Sequence, residues 1–407
     1  MNLILTLNIG LAGLALLLGL VPLLLTARLK HRLPAMLQRP SDDRYCPPAS
    51  VILPCKGLDP GFRENVTSLL RQDYPELELL FVVATSDDPA FVELQTLLAC
   101  VEPGRVRPRL LVAGVDRGRA QKLTNQLAAV RQASPRSEVL VFIDSDCRPD
   151  PGFVRRLVSP LAEPETGATT GYRWYHPPAP TLGSMLRSTW NAGALPFLVD
   201  PKTTHAWGGA MAIRRETFDR ARLGDVWDKA VSDDLTLTVA VHELGLRLQF
   251  VPRCIAVSYE ESSLSDTLEF TNRQSLISRV YFPPLWWGTA FGHASANVLM
   301  AYGVTSLVVW AGGGATPSLI GSACVLLLPL QLVNAAWLFG SVKNLLPAQV
   351  QAEVEELRWY YVLTAPLASL MTLLNTLHAT TTRRITWRGI TYELLSPRET
   401  VVVAPDA

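Results

Sequence analysis

The chain has 407 residues, room for one large or two ordinary domains. Its 37 Lys and Arg against 36 Asp and Glu leave a formal charge of +1, so no global charge argues for nucleic acid. The six cysteines (Cys46, Cys55, Cys100, Cys147, Cys254, Cys324) lack paired metal-ligand spacing, which argues against structural zinc and predicts free thiols.

Residues 3–27 are almost wholly apolar and uncharged, long enough to span a bilayer. A cleaved signal peptide would have a shorter apolar region, with basic residues before it and a small-residue cleavage site after it. Here Arg28, Lys30, His31 and Arg32 come after the span. The reading is an uncleaved anchor, with its basic end and the chain beyond it in the cytosol.

From residue 49 to 257 strand-like and helix-like segments alternate. Strands are predicted at 50–53, 79–84, 109–112 and 139–143, and helices at 64–70, 90–100 and 122–131. This alternation implies a parallel sheet with crossover helices, as in nucleotide-binding α/β folds. No G-x-G-x-x-G fingerprint follows the first strand and no Walker-type loop is present, so a dinucleotide cofactor is not expected.

The strand ends carry the chemistry. Lys56-Gly57 ends the first strand, where a lysine suits a phosphate; its plain reading is a solvated side chain. The second strand ends in Thr85-Ser86-Asp87-Asp88-Pro89. A carboxylate there suits a uracil imide or a ribose hydroxyl, and the plain reading is a helix cap by Ser86 or Asp87. The apolar run Val139-Leu140-Val141-Phe142-Ile143 stops at Asp144-Ser145-Asp146. An unbroken run reads as a buried parallel strand, and ligands of such sheets bind beyond the carboxyl ends. Asp144 and Asp146 thus stand where Mg²⁺ or Mn²⁺ bridging a diphosphate would sit, although Asp-Ser-Asp is also ordinary turn chemistry.

Further on, residues 184–198 form an apolar stretch interrupted by Arg187 and Asn191, suited to a membrane surface or to a buried amphipathic helix. Ser232-Asp233-Asp234-Leu235 opens a helical pattern. It reads as a cap with acidic first-turn residues, or as the seat of a general base. Two more spans are predicted at 294–312 and 318–341, with Trp286, Trp287 and Trp310 suited to the interface. Residues 349–358 form a polar connector, and 359–379 is a weaker span containing Pro366, Asn375 and His378. Three such spans would put the basic tail (Arg383, Arg384, Arg388) outside, against the positive-inside rule. Either the last stretch lies in the interface or the rule fails.

Taken in order, Lys56-Gly57, Asp87-Asp88-Pro89-Ala90, Asp144-Ser145-Asp146 and Asp233-Asp234 resemble the motifs of a family-two-like glycosyltransferase. The ceramide glucosyltransferase branch, family twenty-one, is the closer match. Lys56-Gly57-Leu58-Asp59-Pro60, Gln72-Asp73-Tyr74-Pro75, Gln121-Lys122-Leu123-Thr124-Asn125 and Ile385-Thr386-Trp387-Arg388-Gly389 are similar to segments of that branch. The resemblance runs from the anchor to about residue 395, and the order and spacing of its motifs are more specific than any one of them.

It implies a nucleotide-diphospho-sugar transferase fold, a Rossmann-like mostly parallel α/β sheet with transmembrane helices at both ends. The expected divisions are an anchor at 1–30, a cytosolic transferase domain at 31–282, transmembrane or interfacial helices at 283–380 and a tail at 381–407. Asp88 with Asp87 would contact the uridine. Asp146, helped by Asp144, would hold Mn²⁺ or Mg²⁺ on the diphosphate. Lys56 and Lys122 would lie near the nucleotide. Asp234 takes the position of the base, with Asp233 replacing the usual Glu. A Gln/Arg-x-x-Arg-Trp motif falls on Phe270-Thr271-Asn272-Arg273-Gln274, where only Arg273 matches. Arg273, or Arg279 behind it, suits diphosphate charge; both also suit membrane-flanking positions. The missing tryptophan argues against processive chain extension. His205 and Trp207, beside Gly208-Gly209, fall in an acceptor-side segment.

The implied enzyme is an integral, multi-pass membrane protein with its catalytic domain in the cytosol. It would move a hexose, glucose by resemblance, from a UDP-sugar to a lipid hydroxyl with inversion. Ceramide-like, sterol- or hopanoid-like and diacylglycerol acceptors all fit. No nucleic acid or obligate protein partner is expected. The alternatives are a processive polysaccharide synthase and a non-catalytic membrane scaffold with a degenerate transferase domain.

Overall fold

The structure, a computed structural model, describes residues 2–38, 44–102 and 104–403. In chain order, α1 (Asn2–Gln38) precedes β1 (Ala49–Pro54), α2 (Phe62–Leu70), β2 (Leu77–Val83), α3 (Pro89–Leu98), β3 (Val106–Val112), α4 (Gln121–Gln132) and β4 (Val139–Ile143). Next come α5 (Phe153–Val158), β5 (Thr166–Tyr175), α6 (Leu182–Ala192), α7 (Leu195–Leu198) and β6 (Ala210–Arg214). They are followed by α8 (Arg215–Arg220), α9 (Leu223–Trp227), α10 (Asp233–Glu243) and β7 (Arg247–Ser258). Helices α11 (Leu264–Tyr281), α12 (Pro283–Ala311), α13 (Leu319–Val325), α14 (Leu327–Lys343), α15 (Ala348–Glu356) and α16 (Arg358–Thr381) then lead to strands β8 (Arg384–Trp387), β9 (Ile390–Ser396) and β10 (Glu399–Val403).

These elements form two compact units. The first is α/β. Its seven strands lie in the order β3-β2-β1-β4-β6-β5-β7. Strands β1 to β4 pair in parallel, β6 runs against both β4 and β5, and β7 returns parallel to β5. The mostly parallel sheet expected from the sequence is present, and each predicted strand and helix between residues 50 and 143 is found with its ends moved by a few residues. β4 is buried throughout because helices cover both faces of the sheet. On one face Phe62, Val66 and Leu69 of α2 recur at helical spacing and join Val51, Leu79, Phe81 and Val141 in a single apolar core.

The second unit holds residues 1–33, 177–197 and 261–382, and it is helical. Four of its helices are long and apolar enough to cross a membrane: 9–38 within α1, α12, 319–343 across α13 and α14, and α16. Polar side chains tie them together. Thr26 of α1 donates to Asn334 of α14 at 2.8 Å, and Asn297 of α12 donates to Ser369 of α16 at 3.1 Å. A Cβ added at Gly303 of α12 would lie 2.6 Å from backbone atoms of Cys324 and Val325, so only glycine allows that approach.

The two compact units interleave along the chain. Residues 177–197 and 261–282 pack with the membrane-type helices, and the tail packs with the α/β unit. The tail is no appendage: β8, β9 and β10 form an antiparallel three-stranded sheet. None of the six cysteines is joined in a disulfide.

Candidate active site

The site lies in the α/β unit, beyond the carboxyl ends of β1, β2 and β4. β4 delivers Asp144 and Asp146, separated by Ser145. Arg173, near the carboxyl end of β5, bridges them: its Nη2 lies 2.6 Å from Asp146 and 3.3 Å from Asp144. All of β5 is buried, and a buried charge requires partners. Burial alone would raise the Asp146 pKa, but the Arg173 charge, with a further contribution from Arg388, holds it below the usual carboxylate range. The Arg173 guanidinium also lies over the Trp207 ring, 5.0 Å from its centroid. Sequence reasoning missed Arg173. Its signal was an arginine inside a Thr-, Gly- and Tyr-rich strand with no aliphatic run to announce it.

The second set of acids comes from α10. Ser232 caps the helix, accepting from the Leu235 N–H at 3.2 Å, so the plain reading of this segment is met in full. The two carboxylates nevertheless differ. Asp233 is buried and accepts from Gln126 at 2.7 Å and from Lys122 at 3.0 Å. Asp234 is half-buried. Its Oδ1 accepts from the Ser232 hydroxyl at 2.5 Å and the Leu235 N–H at 2.8 Å, and its Oδ2 accepts from the Gly208 N–H at 3.1 Å.

Lys122 of α4 joins the two sets, with Nζ 2.9 Å from Asp144 and 3.0 Å from Asp233. Burial would lower its pKa, yet the Asp144, Asp233 and Asp234 carboxylates outweigh it and raise the pKa above the ordinary lysine value. Asp233 is pushed up to about 6, by burial first and then by Asp234 and Asp144, against the opposing charge of Lys122. Gly208 is a glycine for a steric reason. A Cβ there would lie 2.8 Å from Asp233 Oδ1 and 3.0 Å from Lys122 Nζ.

At the ends of β1 and β2 the cap of α3 is Asp88, not Ser86 or Asp87. Asp88 Oδ1 accepts from the Ala90 N–H at 2.9 Å and from the Gly57 N–H at 2.8 Å, which locks the two strand ends together. Asp88 adjoins Pro89, the first helical residue, so the cap falls on it. Asp87 is exposed. Lys56 Nζ donates to the Arg388 carbonyl at 2.5 Å, and burial lowers the Lys56 pKa. His205 is half-buried with Nδ1 3.4 Å from the Thr203 carbonyl. Its pKa is lowered by burial, against a smaller opposing pull from Asp234. Trp207 stands between Arg173 and Tyr172, its ring 6.1 Å from that of Tyr172.

The profile of glycosyl transferase family 21 matches residues 12–400. The chain belongs to this family. It is therefore a nucleotide-sugar glycosyltransferase. Among solved structures it is similar to a mannosyltransferase of Pyrobaculum calidifontis, solved with GDP-Man and Mn²⁺, at 18% identity over 91% of this chain and 98% of that one, with a TM-score of 0.49. It is also similar to glucosyl-3-phosphoglycerate synthase of Mycobacterium tuberculosis, solved with Mn²⁺ and UDP-glucose, at 17% identity over 59% and 80% of the chains, with a TM-score of 0.38.

In the family 21 chain the donor set at the end of β4 fits a divalent cation. Asp144 and Asp146 offer hard carboxylate oxygens, and the Asp144 side chain is 26% exposed. Among the described residues no group of three or more His, Cys, Asp or Glu side chains could hold a metal alone. A small hard cation held by one or two carboxylates together with substrate phosphate is what such a pair suits.

Two predicted residues belong to the helical unit. Arg279 of α11 donates to the carbonyls of Ala379 and Thr382, at the end of α16. Arg273 lies over the Phe270 ring, 5.3 Å from its centroid. Phe270 itself, in place of the motif's Gln or Arg, also stacks with Trp190 and receives Arg187.

Proposed function

We propose that this glycosyltransferase moves a hexose from a UDP-sugar to the hydroxyl of a membrane lipid, with inversion at the anomeric carbon. The reading rests chiefly on Lys122, which ion-pairs with a strand-end acid and a helix-start acid at once. It thereby holds a donor-side carboxylate pair and a base-side carboxylate pair within one site. Family membership and the four long apolar helices support a lipid acceptor.

The roles divide by environment. Asp88, with Asp87 beside it, takes the uridine, with Asp88 Oδ2 outside the cap bonds. Asp144 and Asp146 would hold Mn²⁺ or Mg²⁺, which supplies positive charge to the leaving diphosphate. Lys56, Lys122 and Arg173 provide fixed positive charge near it; Arg273 and Arg279 are assigned the same task more loosely. Asp234 is the base because Asp233 is buried and already held by Gln126 and Lys122. The lipid oxygen forms a bond to the anomeric carbon, the bond to the diphosphate breaks, and the alcohol proton passes to Asp234. His205 and Trp207 line the acceptor side. The transferase unit faces the cytosol, on the side where Arg28, Lys30 and Arg32 succeed the first apolar run.

The test incubates purified protein with a panel of UDP-sugars, Mn²⁺ and separate ceramide, sterol, hopanoid and diacylglycerol acceptors, and identifies the glycolipids by mass. Expected is one UDP-hexose giving a glycosylated lipid, with the anomeric configuration inverted. Products that grow as polysaccharide, or donor binding without transfer to any lipid, would overturn the reading.

A further inference from the structure

The C-terminal sheet reaches the donor side of the site through one turn. β8 and β9 are joined by two residues, Arg388 and Gly389, with φ of 49° and 76°. Positive φ at both central positions is a type I′ turn, which favours Asn, Asp or Gly at its first position. An arginine there is held in the left-handed region, which L side chains rarely adopt. Strain of this kind points from the backbone toward a task for the side chain.

That side chain is stitched to the end of β1, 332 residues away in sequence. Arg388 Nη2 lies 2.6 Å from Asp59 Oδ1, and its Nη1 donates to the Lys56 carbonyl. In return Lys56 Nζ donates to the Arg388 carbonyl at 2.5 Å. Asp59 in turn accepts from the hydroxyl of Ser145, the residue between Asp144 and Asp146. Trp387, the neighbour of Arg388, presents its ring 5.9 Å from Lys122 Nζ. The turn therefore sits among the donor-side residues. The Asp59 side chain is 9% exposed but that of Arg388 is 38% exposed. Two of the guanidinium's five N–H groups are used, and the rest have no hydrogen-bond partner among the described residues.

We propose that the β8–β9 turn is part of the donor site and that Arg388 binds the diphosphate of the nucleotide, shifting from Asp59 toward phosphate oxygens when the donor arrives. A planar fork with open N–H groups suits phosphate. Asp59 holds it in place while the site is empty. The proposal rests on the donor reading above.

The experiment measures binding of UDP, and of uridine as the phosphate-free reference, to full-length purified protein with Mn²⁺. The variants are Arg388→Asn, Arg388→Lys, Asp59→Asn and the Asp59→Asn/Arg388→Asn pair. Asparagine suits the turn, so Arg388→Asn keeps the hairpin, and the Asp59→Asn/Arg388→Asn pair removes the carboxylate it would leave unpaired. Expected is a loss of UDP affinity of about tenfold or more in Arg388→Asn with uridine changed less than about twofold, the size of a charge-assisted hydrogen bond. Arg388→Lys restores part of it. Asp59→Asn leaves UDP binding equal or tighter, and has no effect once Arg388 is gone. Equal losses for UDP and uridine, unchanged UDP binding in Arg388→Asn, or an Asp59→Asn loss matching that of Arg388→Asn would show a mere brace and overturn the proposal. Wild-type protein that fails to bind UDP at all would instead remove the donor reading, and this proposal with it.

Discussion

Lys122 and Asp233 form an ion pair of 3.0 Å with side chains only 12% and 4% exposed. Such a pair gains little net stability over an apolar substitute, because both charges lose water. Its value lies in position. Lys122 reaches Asp144 at nearly the same distance, so the geometry of the strand end and of the helix start are fixed by one ammonium group.

This pairing sets a pH dependence. Asp233 has its folded pKa raised to about 6 by burial, Asp234 and Asp144. A carboxyl raised in this way stabilises the fold fully below its unfolded pKa, near 4, and that contribution is lost as pH rises through about 6. Asn at 233 does not titrate. Thermal midpoints of wild type and Asp233→Asn should therefore lie close together at and below about pH 4. As pH rises from about 4 to 6 the Asn variant should gain on wild type, and the gap should level off above that. A gap that moves the other way would mean that Lys122 keeps Asp233 ionised down to low pH.

The parts legible in sequence were those with local causes. The β4 run and its terminal Asp144 and Asp146 could be read because an unbroken aliphatic strand must be buried and must end somewhere. The start of α10 at Ser232 was equally local. β3 was seen only in its apolar half, because Arg107 and Arg109 pair with Glu76 and Glu78 of the neighbouring β2 region, and such partners have no signature in a short window. Arg173 and the tail sheet were missed for the same reason at longer range. Arg173 gains its meaning from acids on another strand, and Arg388 from Asp59, 329 residues earlier.

Asp234 and Asp233 separate in a kinetic test. Asp234→Asn should leave UDP binding with metal within about twofold and lower turnover by about 10²–10⁴-fold, the usual range for a lost general base. Single-turnover transfer to the lipid acceptor, alongside calorimetry with UDP, gives both quantities. Normal turnover would move the base elsewhere, and a matching loss of UDP affinity would make Asp234 structural.

Arg173 offers a test of the metal site that needs no substrate. Replacing it by Met leaves Asp144 and Asp146 facing each other without their shared cation. Breaking a buried pair in this way costs about 3–5 kcal/mol. If these two acids hold a divalent cation, Mn²⁺ at millimolar concentration should narrow the thermal gap between Arg173→Met and wild type, and Ca²⁺-free chelated buffer should widen it. A gap indifferent to Mn²⁺ would place the metal somewhere other than between these carboxylates.

The Arg388–Asp59 ion pair leads to a prediction about membrane sidedness. The tail sheet packs on the α/β unit, so the chain must return to the side it left after β7. Three candidate spans lie between, α12, the 319–343 stretch and α16. An odd number of full crossings would strand the tail on the wrong side, and would also put Arg383, Arg384 and Arg388 against the positive-inside rule. An even number of crossings is therefore expected, two of the three at most. α16 is the one expected not to cross: it is the least apolar of the four candidates and carries Pro366, Asn375 and His378. In a background with Cys46 and Cys100 replaced by Ser, single cysteines at Arg117, Gly314 and Arg398 should separate into two classes with a membrane-impermeant maleimide. Positions 117 and 398 should label from one side and 314 from the other. Labelling of 398 from the side opposite 117 would break the ion pair's topology and require α16 to cross.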